Sequence, residues 1–172
     1  MTYLGTNCSP EEYYKSHSHD YTNPHAGGIQ YVLDRHKHVL RGSILDMGCG
    51  DGLITKLLPQ HYIVGVDAEE EMISRYESET GHKGYVCKFW DELPKADSAI
   101  FSYSLHLCPN SRREAVGFRL QIAGVKTILV ISPFKGRSNE EWCSFALREQ
   151  TADQVGPDKK TIYGRYYSCI NG

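Results

Sequence analysis

The sequence predicts an α/β fold: a doubly wound, mostly parallel sheet of seven strands, with an antiparallel last strand and helices on both faces. Three patterns predict it. Residues 43–52 join a short apolar strand to a loop with glycine at alternate positions, and apolar residues at helical spacing follow. Residues 62–67 are a second apolar run that ends in an acid. Residues 127–132 are a third, uninterrupted run, typical of a parallel strand covered on both faces.

The helices are predicted from apolar spacing and from end signals. The second helix places Ile29, Val32 and Leu33 on one face, and the helix that follows Gly52 stops at Pro59. Acids begin the helix after Asp67, as suits a helix N-terminus. The predicted helices cover residues 10–16, 29–40, 52–58, 69–78 and 111–121, and a short helix starts within residues 140–143.

The strands are predicted from short apolar or aromatic runs between turn residues. The last run contains Tyr163 and Tyr166, and aromatic residues favour strands. A turn signal, Gly156-Pro157-Asp158, separates the last two strands, so these two can pair antiparallel. The predicted strands cover residues 43–47, 62–67, 85–89, 98–104, 127–132, 145–149 and 161–169.

Length and composition indicate one soluble, cytoplasmic domain. The 172 residues fit a single domain, in which residues 1–28 form an N-terminal arm and residues 29–172 the core. The chain has no run of eighteen apolar residues and no basic segment followed by an apolar one at its start, so we expect no membrane span and no secretory signal. The six cysteines form no Cys-x-x-Cys pair, a pattern typical of reduced, cytoplasmic proteins.

The glycine loop and the acid after the second strand predict a nucleoside site. Glycine lets the backbone approach a ligand closely, and Asp67, fifteen residues after Gly52, can accept hydrogen bonds from ribose hydroxyls. A dinucleotide fingerprint spaces its glycines as G-x-G-x-x-G to hold a pyrophosphate. Here the spacing is G-x-G-x-G, and Asp46 precedes it. An acid there suits a cationic amino group better than a phosphate.

Asp46, Gly48, Gly50 and Gly52, together with Asp67, resemble motif I and the ribose-binding acid of the class I S-adenosylmethionine-dependent methyltransferases. The resemblance implies methyl transfer with S-adenosylmethionine as cofactor, and it extends more weakly from about residue 14 to the C-terminus. The alternative is a flavin or nicotinamide protein, or a glycine loop without a ligand.

The resemblance also implies further cofactor contacts. Asp91 would accept from the adenine amine and Trp90 would pack against the ring, although core packing is the alternative for Trp90. An N-terminal group rich in Tyr and His (Tyr13, Tyr14, His17, His19, Asp20, Tyr21 and His25) is read as a lid over the cofactor, with a metal site or a solvated arm as alternatives; we expect no metal. The predicted cofactor residues are Asp46, Gly48, Gly50, Gly52, Asp67, Ala68, Trp90, Asp91, Ser102, Tyr14 and Tyr21.

Residues that end the fourth strand are the catalytic candidates. The segment from Ser102 to His106 lacks the Asn/Asp-Pro-Pro-Tyr motif of base-methylating enzymes, and no Asp completes a Lys-Asp-Lys-Glu tetrad. It resembles instead the same segment of family members that often work by positioning the substrate alone. In such enzymes, alignment of the reacting atoms supplies much of the acceleration. His106 is the candidate base, with Tyr103 beside it, because imidazole titrates near neutrality. A structural histidine is the alternative.

Charge distribution favours RNA as the substrate. Residues 1–102 contain 9 Lys and Arg against 15 Asp and Glu, whereas residues 103–172 contain 10 against 6. A basic C-terminal half beside a site with no inserted lid domain suits an anionic macromolecule, and Lys135 and Arg137 are the predicted contacts. The alternatives are scattered solvated charges, a small-molecule methyltransferase covered by the N-terminal arm, and a non-catalytic subunit of a methyltransferase complex.

Overall fold

All described strands belong to one sheet, seen in a computed structural model that describes residues 26–136, 141–155 and 160–170. The strands are β1 (Ile44–Met47), β2 (Ile63–Asp67), β3 (Gly84–Val86), β4 (Ser98–Ser102), β5 (Thr127–Ser132), β6 (Glu141–Trp142), β7 (Phe145–Val155) and β8 (Lys160–Cys169). The helices are α1 (Ala26–His36), α2 (Leu53–Leu57), α3 (Glu70–Thr80) and α4 (Arg113–Ile122), and short 3-10 turns cover Lys37–Val39, Leu105–Leu107 and Asn110–Arg112. Within these ranges, no helix has the length and apolar character that crossing a membrane requires.

The strand order is β3-β2-β1-β4-β5-β8-β7-β6. Strands β1 to β5 pair in parallel, and β8 runs antiparallel to both β5 and β7. The doubly wound sheet with an antiparallel last strand is therefore confirmed, and the two-residue strand β6 extends it at the edge beyond β7. Because the carboxyl ends of parallel strands meet at one edge, the chain segments after β1, β2, β3, β4 and β5 converge there.

The helix predicted within residues 140–143 is wrong, because Glu141 and Trp142 pair with β7. The Trp142 side chain is buried against the sheet, and its Nε1 donates a hydrogen bond of 2.7 Å to the carbonyl of Arg113 at the start of α4. Phe145, which pairs with Trp142, is close along the chain, whereas Arg113 is distant in sequence, so the local pattern could not reveal the contact with Arg113. β7 also extends past the predicted residue 149 to Val155, since β8 pairs along its whole length across a bulge at Leu147 and Glu149.

Alternate residues of each strand enter two apolar cores, one on each face of the sheet. On one face, α1 packs Ile29, Val32 and Leu33 against the isoleucines of β1, β2 and β4. On the other face, Val116 and Leu120 of α4 pack against β1, β4 and β5. Both faces of β5 are buried from Ile128 to Ser132, as the uninterrupted apolar run predicts.

Helix α1 is tied to the β7–β8 hairpin by polar contacts. Nε2 of the buried His36 lies 2.6 Å from the hydroxyl of Thr151, and the Arg35 guanidinium donates to Asp153 at 2.6 Å. Gly164 of β8 makes room for this histidine, because a Cβ there would lie 2.6 Å from its Nε2. The hairpin is thereby held against α1, next to β5.

Candidate active site

A cavity opens at the carboxyl ends of β1, β2 and β4. Residues from four chain segments line it: Gly48, Gly50, Asp67, Ala68, Glu69, Met72, Lys88, Phe89, Trp90, Ser102, Tyr103, Ser104, Leu107 and Cys108. A smaller recess adjoins it and shares Gly48, Gly50 and Ser102; its other walls include Asp46 and Asp51. The structure therefore brings together most of the sequence-predicted cofactor residues that fall within its described ranges.

The glycine loop after β1 is held in a conformation that only glycine adopts easily. The amides of Gly48 and Cys49 both donate to the carbonyl of Val66, at 2.7 and 3.0 Å. Gly48 has φ +75°, and a Cβ there would lie 2.6 Å from the Cβ of Ser104. At Gly52, with φ +93°, a Cβ would lie 2.3 Å from Thr80. Gly48 thus keeps the cavity floor free of side chain, whereas Gly52 serves the packing of the loop on α3.

The carboxylate of Asp67 is fixed by two backbone amides. Its Oδ2 accepts from Gly50 at 3.1 Å and its Oδ1 accepts from Glu69 at 3.0 Å. Burial raises the pKa of Asp67, and these two hydrogen bonds oppose that rise. Each oxygen keeps a lone pair, so an oriented carboxylate in the cavity wall can accept from a vicinal pair of hydroxyls.

Asp46 lies in the smaller recess that adjoins the cavity, and it is almost fully buried. Its Oδ2 accepts from the Thr55 hydroxyl at 3.3 Å, and that hydroxyl lies 2.8 Å from the Tyr76 hydroxyl. Burial raises the pKa of Asp46 to about 7, with the charges of Asp67 and Asp51 adding to the rise. A buried carboxyl without a cationic neighbour is suited to receive a ligand's ammonium group.

The far end of the cavity, after β3, differs from the prediction. Trp90 lines the cavity as predicted, but Asp91 does not; it is exposed, and its Oδ2 accepts from the backbone amide of Lys88 at 2.8 Å. This turn directs the carboxylate away from the cavity and leaves Lys88, Phe89 and Trp90 as the wall. The hydrogen bond runs from an amide three residues before the aspartate, unlike the common Asx turn, so the sequence carries no standard signal for it.

The two catalytic candidates after β4, Tyr103 and His106, lie in different surroundings. Tyr103 lines the cavity and has a left-handed backbone, with φ +53°, a strained conformation for a tyrosine. His106 is not in the cavity wall; its ring lies edge-on to Phe134, with 5.2 Å between ring centroids. Burial, with the nearby charge of Arg113, lowers the pKa of His106 to about 4. The imidazole is therefore neutral at pH 7 and a weak base.

The remaining predicted residues lie in the cavity wall, beyond β5 or outside the described ranges. Lys135 is exposed just beyond β5, and Ala68 and Ser102 line the cavity. Arg137, Tyr14, Tyr21 and the rest of the N-terminal group lie outside the described residues. Among the described residues, no group of three or more potential metal ligands is found. Sequence reasoning missed the cavity residues Glu69, Met72, Lys88, Phe89, Ser104, Leu107 and Cys108.

Comparison with known proteins decides the identity of this site. Residues 44–120, which include the glycine loop, Asp67 and the end of β4, match the family model of a methyltransferase domain. These residues therefore form a methyltransferase domain of the class I, S-adenosylmethionine-dependent kind. The site's chemistry fits this cofactor: the oriented carboxylate of Asp67 suits a ribose, Gly48 leaves a floor without a side chain, and the buried carboxyl of Asp46 suits an ammonium group.

Solved structures share the methyltransferase's fold at low sequence identity. A methyltransferase from Anabaena variabilis is 14% identical, with a TM-score of 0.70, 92% of this chain covered and 93% of the other. A magnesium protoporphyrin IX methyltransferase from Synechocystis with bound S-adenosylhomocysteine is 14% identical, with a TM-score of 0.63 and the same coverage. A putative RNA methyltransferase from Pyrococcus horikoshii is 12% identical, with a TM-score of 0.63 and 87% and 86% covered. The search of curated proteins found no match.

Substitution of Asp46 by Asn should separate folding from cofactor binding. Because the pKa of this group rises from 3.8 to about 7 on folding, the wild type loses stability as the pH rises from about 4 to 7, and the loss persists above 7. Asp46→Asn removes that loss, so at pH 8 the unliganded variant should be about 1–3 kcal/mol more stable, allowing for its new buried amide hydrogens.

The same variant should bind S-adenosylhomocysteine more weakly at pH 8, because the ammonium loses its carboxylate. Urea unfolding at pH 4.5 and pH 8 and calorimetric titration at pH 8 measure the two effects. A variant less stable than the wild type at pH 8, or one with unchanged cofactor affinity, would contradict this role of Asp46.

Proposed function

We propose that this methyltransferase acts on RNA. The observation that carries the proposal is the character of the rim beside the cavity. Lys88 and the Arg112 guanidinium lie 5.5 and 5.3 Å from the ring centroid of Trp90, which lines the cavity, and Lys135 is exposed beyond β5. Cationic side chains beside an aromatic ring at the mouth of a site favour a substrate with phosphates and bases.

The open substrate side supports a large substrate. Residues 87–97, between β3 and β4, contain no helix, and the described part of the connection between β5 and β7 contains only the short strand β6. The described parts of these two connections therefore contain no inserted element that would enclose a small molecule. A macromolecule brings its own surface to such a site and excludes water from the transfer reaction by its own bulk.

Positioning is the proposed source of catalysis. The bound cofactor supplies a methyl group on a sulfonium, and the leaving thioether needs no proton. Asp67 would hold the ribose of the cofactor and Asp46 its ammonium group, and Tyr103 forms the wall at the end of β4. His106 does not line the cavity, and its neutral imidazole is too weakly basic to act as the general base. Alignment of the acceptor atom with the methyl group is then the main contribution of the protein.

Two lysines at opposite ends of β5 provide a matched test. Lys135 follows the strand at the site, whereas Lys126 precedes it at the opposite edge of the sheet, and both are exposed. Lys135→Ala should weaken RNA binding and reduce the slope of log affinity against log salt by about 0.7–1, because one phosphate contact releases fewer counterions. Lys126→Ala should leave both quantities at wild-type values.

Fluorescence anisotropy of a labelled single-stranded RNA, titrated at several salt concentrations, measures both quantities. Adenosylhomocysteine binding by both variants should equal that of the wild type, which controls for folding. The proposal is contradicted if the wild type shows no RNA affinity at low salt, or if the Lys135 and Lys126 variants behave alike.

A further inference from the structure

An exposed aromatic side chain stands beside the transfer site in a fixed position. Phe134, two residues beyond the end of β5, leaves 54% of its surface in contact with solvent. Its backbone amide donates to the Ser132 hydroxyl at 3.0 Å, and the amide of Gly136 donates to the Gln150 side chain at 2.9 Å. The segment is therefore tied to β5 on one side and to β7 on the other. The ring of Phe134 adds little to either core, since neither core cluster includes it.

Phe134 is close to the cofactor cavity without being part of it. Its ring contacts that of His106, with 5.2 Å between centroids and 64° between planes. His106 is flanked by residues of the 3-10 turn and β4 end that do line the cavity, among them Leu107 and Tyr103. The exposed ring thus packs against the turn after β4, whose residues help to line the cavity.

Other exposed aromatic side chains of the described part lie elsewhere. Phe118 is 59% exposed on α4, in a groove with Cys143 and Ile170, and Tyr62 is 67% exposed just before β2, at the opposite edge of the sheet. Phe134 differs from Phe118 and Tyr62 in having Lys135 next to it and in contacting His106, in the turn whose residues help to line the cofactor cavity. A fixed ring offers a face for stacking at low entropic cost, and an adjacent ammonium can contact a phosphate.

We propose that Phe134 is the stacking platform for an unpaired base of the RNA substrate, with Lys135 on the phosphate beside it. This inference rests on the proposed action on RNA and adds that the substrate base must be outside a duplex. A base within a helix exposes no face to a protein ring, whereas a base in a loop or single strand does. The RNA would then be held by one stacked base and one phosphate contact, and the acceptor base would face the cavity past His106.

Phe134→Leu removes the flat π face but keeps an apolar side chain, and Phe118→Leu is the matched control at an equally exposed position. Phe134→Leu should weaken the binding of a single-stranded RNA about 5- to 50-fold, and Phe134→Trp should restore the affinity. Because stacking releases no counterions, the salt dependence of Phe134→Leu should parallel that of the wild type, unlike that of Lys135→Ala. Phe118→Leu should bind RNA as the wild type does.

An oligonucleotide of the same length without bases separates stacking from a structural effect. The wild type and Phe134→Leu should bind this abasic backbone equally, and both should bind S-adenosylhomocysteine equally. Equal binding of base-containing RNA by Phe134→Leu and the wild type, or an equal loss on both oligonucleotides, would overturn the stacking role alone. Absence of wild-type RNA binding at low salt would overturn this inference together with the proposed function.

Discussion

Replacing Asp67 by Ala is expected to weaken S-adenosylhomocysteine binding by about 1.5–3 kcal/mol, or roughly 10- to 100-fold. The reason is geometric: amides of Gly50 and Glu69 hold the carboxylate at 3.1 and 3.0 Å, pointing into the cavity. The variant loses the charge-assisted hydrogen bonds that this carboxylate would make to the ribose. Isothermal titration calorimetry with S-adenosylhomocysteine measures the loss, and NADH serves as a non-binding control.

Asp91→Ala is the matched control, because Asp91 is the second acid that sequence reasoning assigned to the cofactor. Its exposed carboxylate closes a turn with Lys88 and does not line the cavity, so its removal should change the affinity less than about threefold. A loss at Asp91 as large as that at Asp67 would show that the carboxylate reaches the adenine amine after all. An unchanged affinity in Asp67→Ala would contradict the ribose contact itself.

Gly48→Ala should be the most damaging small substitution in the loop. The new methyl group needs a left-handed backbone, which costs about 1–2 kcal/mol, and it would lie 2.6 Å from the Cβ of Ser104, which adds about 1–3 kcal/mol of overpacking. Ser104 cannot yield easily, because its hydroxyl donates to the carbonyl of Met47 at 2.6 Å. We expect a loss of about 2–5 kcal/mol in the free energy of unfolding and weaker cofactor binding, since the methyl group occupies the cavity floor.

Gly81→Ala isolates the backbone cost. Gly81 follows α3 with φ +73°, nearly the same as the +75° of Gly48, but nothing lies within 4 Å of its potential Cβ. This variant should lose only about 1–2 kcal/mol and bind S-adenosylhomocysteine normally. Urea unfolding of the unliganded proteins gives both values. If both variants lose the same free energy of unfolding, the loop relaxes around the new methyl group at residue 48. Ser104 would then not hold the loop in place.

The glycine loop and Asp67 could be placed from the sequence because their determinants are local. An apolar strand, alternate glycines and an acid at the tip of the next apolar strand specify a strand, a tight loop and the edge of the sheet where both end. The uninterrupted apolar run of β5 likewise has one simple interpretation, a strand buried on both faces. Gly48, Gly50, Asp67 and Ala68 therefore meet in one cavity, as expected.

Side-chain direction and long-range pairing could not be predicted in this way. Asp91 stands three residues from Lys88, and only the turn that they close shows that its carboxylate faces solvent. Trp142 is a strand residue because it pairs with Phe145 in a tight hairpin and because the carbonyl of Arg113, which is distant in sequence, accepts from its indole. The contact between His106 and Phe134 joins the ends of two strands, and burial there lowers the pKa of the imidazole, which removes the reason for choosing it as a base.

Transfer of labelled methyl groups from S-adenosylmethionine into fractionated cell RNA, protein and small molecules tests the central claim most directly. An RNA methyltransferase with an open site should place the label in the RNA fraction, in a form that ribonuclease releases. Asp67→Ala should reduce that label roughly 10-fold or more at limiting cofactor, whereas Asp91→Ala should not. Label confined to the small-molecule or protein fraction, or RNA labelling that Asp67→Ala leaves unchanged, would contradict the account.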